Sequence, residues 1–151
     1  MIRGVEFEIP QKTTDSLWKI LNCIKIDAYH WKVVENQEEV WSENGDKEFF
    51  DIMEMSGKDF AKKIQLNHFI VFVKLQAYYS DGKFQDISTY NDFINGDCQL
   101  LLLVSDCEYV EIYCKDQDLS KVIYHHALSQ NYKNVKYITD KNDSRITMNV
   151  L

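Results

Sequence analysis

The sequence is poor in the residues that build phosphate loops and nucleic-acid contacts. Its 151 residues include one Pro, five Gly and only two Arg. The glycines stand at 4, 45, 57, 82 and 96. So dispersed, they allow neither a G-x-G-x-x-G turn nor a P-loop. Arg3 and Arg145 face 15 Lys. Arginine supplies the planar fork that grips guanine and phosphate, so its scarcity argues against direct nucleic-acid binding. Cys23, Cys98, Cys107 and Cys114 form no C-x-x-C pair and no finger spacing. They are expected to be reduced thiols acting as small hydrophobes. A zinc site would need ligands arriving from distant segments. The longest apolar run, Cys98 to Val104 interrupted by Gln99, is far too short for a membrane span. The opening Met1–Pro10 alternates charged and apolar residues and lacks a signal peptide's apolar region. The expectation is a soluble cytoplasmic chain with no membrane contact, no cofactor and no metal.

What is present is enough for a core. Hydrophobic residues make up 45% and aromatics 13%, which argues against disorder and favours one compact domain over residues 1–151. The net charge of −7 is concentrated. Residues 35–54 carry Glu35, Glu38, Glu39, Glu43, Asp46, Glu48, Asp51 and Glu54 against Lys47 alone, a local −7, while the flanking segments are nearly neutral. Such a segment repels phosphate and attracts basic partners.

Strand and helix periods alternate along the chain. Ile2–Ile9 places Val5, Phe7 and Ile9 on one face of a strand ended by Pro10. Thr13, Thr14 and Asp15 are N-cap residues before Leu17, Ile20, Leu21 and Ile24, which have helical spacing. Trp31–Glu35 reads as a strand, Glu39–Ser42 as its hairpin partner or the start of a loop, and Asn44-Gly45 as a turn. Phe49–Met53 reads as a short strand, and Ser56 with Asp59 opens a helix through Gln65. His68–Tyr79 alternates, and Thr89 with Asp92 caps a helix stopped by Gly96. Leu100–Val104 is apolar on both sides, the mark of a central strand. Tyr109–Cys114 alternates. A helix from Asp116 or Asp118 follows, with Leu119, Val122, Ile123, His126 and Ala127 as its apolar stripe. Val135–Thr139 and Arg145–Val150 close the chain as strands. The order predicts an α+β domain: a mixed, mostly antiparallel twisted sheet with about four helices.

Arg3-Gly4-Val5-Glu6-Phe7-Glu8-Ile9-Pro10, the Tyr29-His30-Trp31 step, and Asp97-Cys98 through Tyr109-Val110-Glu111-Ile112-Tyr113-Cys114-Lys115 together resemble a small Bacillus-type family. Its members are short single-domain chains of unknown function. The likeness covers nearly the whole chain and implies a low-GC Gram-positive host or its phage. It transfers no catalytic residue.

No arrangement of residues announces an enzyme. His125 and His126 lie about 100° apart on a helix and cannot readily share a metal. The i+4 positions, Ser129 and Gln130, are not ligands. A nucleophilic pair of Cys107 or Cys114 with either histidine lacks the local cation or helix start that holds a thiolate. Two binding readings remain. In the first, Trp41 with Glu35, Glu38, Glu39, Glu43 and Asp46 forms an aromatic anchor with a charged rim. That suits a non-enzymatic module, of inhibitor or immunity type, docking a basic protein partner. In the second, Tyr78, Tyr109, Tyr113 and His126 line a small-molecule pocket between the sheet and the C-terminal helix.

Overall fold

The computed structural model describes residues 1–151. The elements run β1 (Ile2–Glu8), α1 (Ser16–Leu21), a 3-10 turn (Ile26–Ala28), β2 (His30–Ser42), β3 (Glu54–Ser56), α2 (Gly57–Ile64), β4 (His68–Tyr78), α3 (Tyr90–Asn95), β5 (Cys98–Ser105), β6 (Tyr109–Cys114), α4 (Gln117–Ser129) and β7 (Lys133–Thr139). The strands form one seven-stranded sheet in the order β3-β2-β4-β5-β6-β1-β7. Every neighbouring pair is antiparallel. The domain is therefore α+β, with four α-helices.

The period-2 pattern sorts side chains to two faces. Val5, Phe7, Val33, Leu75, Leu102 and Ile112 point to one face, where they bury against Leu17 and Ile20 of α1, Phe60 and Ile64 of α2, and Ile123 and Ala127 of α4. Leu101, Leu103, Tyr113 and Ile138 point to the other, where Ile87, Phe93 of α3 and Met148 cover them. β5 lies in the middle of the order and is covered on both sides, which is why it reads as a continuous apolar run.

Some elements differ from the sequence expectation. Residues 30–42 are one bulged strand, not two pieces. Phe49 and Phe50 are buried plugs in a loop, and the strand begins only at Glu54. Arg145–Val150 alternates but forms no strand. Its Met148 fills the second core while Ile146 stays exposed. On α4 the inward side is Ser120, Ile123 and Ala127, whereas Val122 is 45% exposed. The packing is set by small residues that let α4 approach β1, and hydropathy alone misplaces the stripe by a fraction of a turn.

Lys74 is 2% exposed on the second face. Its Nζ donates to Ile87 O and, at 3.2 Å, to Asn149 Oδ1, so it ties both covering segments to the sheet. Burial pushes its pKa below the ordinary 10.5.

His68 is a second buried polar group. The Leu17 N–H donates to Nε2 at 3.1 Å, and Nδ1 lies 2.8 Å from Leu66 O. Nδ1 therefore carries the proton of a neutral ring, and burial pushes the pKa below 6.5. Below that value the unfolded ring takes up a proton while the folded one stays neutral. The stability from neutral His68 is thus complete above pH 6.5 and is lost as pH falls through and below it. Urea midpoints measured at pH 7.5 and 5.5, against the ordinary imidazole value of about 6.5, should fall more for the wild type than for His68→Phe. Equal falls would contradict this assignment.

Candidate functional site

The acidic segment occupies one edge of the sheet, and a bulge decides which way its side chains point. β2 pairs with β4 from His30↔Tyr78 to Val33↔Leu75, then resumes at Glu38↔Val73. Val34, Glu35, Asn36 and Gln37 thus oppose Lys74 alone, with Asn36 taking the left-handed turn at φ 64. Gln37 in this bulge accepts the Val150 N–H at 2.8 Å. Directly opposed residues share a face. Glu38, opposite buried Val73, is therefore on the helix-covered face, while Glu39 (opposite Phe72) and Trp41 (opposite Phe69) are on the other.

Beyond Ser42 the chain turns at Asn44-Gly45, where Gly45 has φ 88 and donates to Ser42 O at 3.0 Å. The loop then runs back along β2, with Ser42 donating to Asp46 O at 2.7 Å and Phe49 to Val40 O at 3.1 Å. Phe49 and Phe50 anchor it in the core. Its carboxylates are thereby held outward. Among the eight acids of 35–54, Asp51 meets Lys63 at 3.8 Å and Glu54 meets Lys32 at 3.9 Å. The other six have no ion pair. Glu43, Asp46, Glu48 and Asp51 surround a hollow of about 650 Å³ between the loop and the end of α2, with Lys63 its single cation. Glu38, partly buried near Glu48 and Glu39, has its carboxyl pushed above the usual range, first by burial and then by those neighbours.

Trp41 is half-buried, not an anchor standing free. Its indole N–H donates to Glu39 Oε2 at 3.0 Å, and Lys47 Nζ sits 5.1 Å above its ring. Beside it Phe69 is 39% exposed. The structure therefore splits the residues expected to cluster. Glu39 and Trp41 share an aromatic patch with Phe69 and Phe72, whereas Glu43 and Asp46 belong to the hollow on the other side of the β2 edge. Glu35 lies exposed in the bulge between.

The tyrosines and His126 do not converge. Tyr113 and Tyr78 belong to the second core, on the face away from α4. His126 is on α4, its Nε2 2.6 Å from Lys19 O, joining that helix to α1. Only Tyr109 is exposed, in a groove of about 600 Å³ with Glu6, Glu8, Glu111 and Lys136. The thiols are unsuited to nucleophilic work. Burial pushes Cys23 up to about 11 and Cys98 and Cys114 up to about 12, the reverse of activation.

One polar network escaped the sequence reading. Arg145 grips Glu111 through Nε at 3.1 Å and Nη2 at 2.7 Å. Asp143 accepts Arg3 Nη1 and the Tyr113 hydroxyl, each at 3.1 Å. Both arginines of the chain thus serve one task, fastening residues 143–145 to the second face. Their scarcity was the available signal.

A family model described as "Protein of unknown function (DUF2691)" matches residues 2–149. The chain is also 35% identical over 153 residues to "Uncharacterized protein YncE" of Bacillus subtilis (strain 168), covering 99% of this chain and 100% of that protein. No solved structure matches it. No helix is long and apolar enough to cross a membrane.

Proposed function

The chain belongs to the DUF2691 family of unknown function, and from that premise we propose that it is a protein-binding module that docks a basic partner through the edge formed by residues 35–54. The observation that carries the reading is the set of three carboxylates without an ion pair, Glu43, Asp46 and Glu48, around the 650 Å³ hollow, where Lys63 meets Asp51 alone, held outward by the buried Phe49–Phe50 plug. A Lys or Arg side chain of the partner fits the hollow, where it relieves the repulsion among Glu43, Asp46 and Glu48. Trp41 and Phe69 supply the apolar flank on the other side of the edge. Electrostatic steering brings the partner in, and the aromatic contact sets how long it stays. Such a module acts by occlusion, as inhibitors and immunity-type proteins do.

Trp41→Ala tests the flank. The side chain is half-buried and its one hydrogen bond is to a neighbour on the same strand, so the fold should lose no more than about 1 kcal/mol. Partner affinity should fall by about 30-fold, the scale of an interface hot spot of roughly 2 kcal/mol. Affinity unchanged by Trp41→Ala, measured by titration calorimetry on the captured partner, would remove Trp41 from the interface.

A further inference from the structure

A second surface, on the helical side, carries the opposite charge. A groove of about 350 Å³ lies between α1, the 3-10 turn and α2. Trp18, Ile24 and Ala61 give it an apolar lining, and Lys25, Lys58 and Lys62 stand around it, with Asp27 the single acid. The volume falls within the range of about 300–1,000 Å³ that small ligands occupy.

Stability does not explain all three of these lysines. In a chain of net charge −7, none of the three forms an ion pair. Lys58 and Lys62 are four residues apart on α2, where like charges repel. Lys58 also sits in the first turn of α2, at the positive end of the helix dipole. Lys62 alone is well placed for the fold, in the last turn. A cation that opposes both its neighbour and its helix, beside an apolar lining and in no ion pair although Asp27 lies in the same groove, is suited to an anion from outside the chain.

We infer that this groove binds a small amphipathic anion: an aliphatic or aromatic body ending in a single acid group. The body covers Trp18, Ile24 and Ala61, and the acid group lies between the Lys58 and Lys62 ammonium groups. Lys25 closes the groove from the 3-10 side. The site is independent of the acidic edge and stands or falls separately from it.

The probe is 8-anilinonaphthalene-1-sulfonate, an aryl sulfonate that fluoresces when its rings leave water, with decanoate below its micelle concentration as competitor. The intact chain should bind one equivalent and release it to decanoate. Lys58→Glu with Lys62→Glu should weaken binding by about tenfold or more, the loss of a charge-assisted contact. Lys58→Ala with Lys62→Ala should give a smaller loss of the same sign. Lys83→Glu with Lys141→Glu makes the same change of net charge at exposed positions outside the groove, and should leave binding unchanged. Circular dichroism and melting of each variant confirm that the chain is folded. No saturable binding by the wild type would overturn the proposal. So would equal weakening by both charge reversals, or full binding by the Lys58/Lys62 variants.

Discussion

Trp31→Ala should destabilise the domain by about 3–5 kcal/mol, the cost of emptying a large aromatic site in a core. The indole is fully buried and stacks on Phe60 at 4.4 Å and 13°. Phe60 stacks in turn on Phe50 at 6.3 Å. The Trp31 N–H donates to Ile26 O at 3.0 Å, so truncation also removes one of the two hydrogen bonds to that carbonyl and leaves it the Tyr29 N–H at 3.3 Å. One side chain thus joins β2, α2, the 3-10 turn and the plug that holds the acidic loop. Against a typical domain stability of about 5–15 kcal/mol, the loss is a large share. Urea denaturation should show a much lower midpoint at an unchanged slope. A drop no larger than that of Trp41→Ala would contradict this packing.

Gly4→Ala should be about as damaging, for a different reason. Gly4 is opposite Tyr113, and a Cβ built on it would lie 1.9 Å from the Ile112 carbonyl oxygen. That neighbour is backbone and cannot rotate aside, so β1 and β6 must separate locally. Overpacking ordinarily costs about 1–3 kcal/mol, and a rigid backbone obstacle places this case at the upper end or beyond. β1 also carries β7, so the variant should loosen two strand pairs. Hydrogen exchange of β1 and β7 amides checks it: faster exchange in both is expected, and wild-type protection in both would contradict the close approach.

Where sequence period and environment agreed, the fold was legible. β1, β4, β5 and β6 are alternating or apolar strands whose pairings with one another keep register but for one shift between Ala77 and Tyr78. The cap at Thr89 with Asp92 is the reciprocal one its spacing indicates. Glu39–Ser42 was ambiguous because the four-residue bulge at 34–37 interrupts the alternation that would have joined it to Trp31. Phe49–Phe50 imitated a strand because a buried plug and a buried strand have the same hydropathy. The C-terminal stretch imitated one because Ile146, Met148 and Val150 alternate with polar residues, although Met148 is buried and Ile146 is exposed.

The candidate site was legible in charge but not in direction. Composition located the whole net charge in residues 35–54, and the loop does hold its carboxylates in solvent. Sequence could not show that the bulge turns Glu38 to the helix-covered face and Glu39 to the other, or that Trp41 is half-covered. The lysine-rimmed groove was invisible for the same reason. Lys25 comes from one segment and Lys58 and Lys62 from another, and only packing of the 3-10 turn against α2 brings them together.

The central claim is that a basic partner docks on the acidic edge. Its most direct test is the affinity of the partner captured by this chain, measured at about 50 mM and about 300 mM salt, a range over which exposed charges pass from weakly to strongly screened. Wild type is compared with Glu43→Lys/Asp46→Lys, positions exposed enough to leave the fold unaffected. The account predicts tight binding at low salt that weakens steeply at high salt, and weak, nearly salt-independent binding by the double variant. Binding that is the same at both salts and indifferent to the charge reversal would contradict it, as would capture of no partner at either salt.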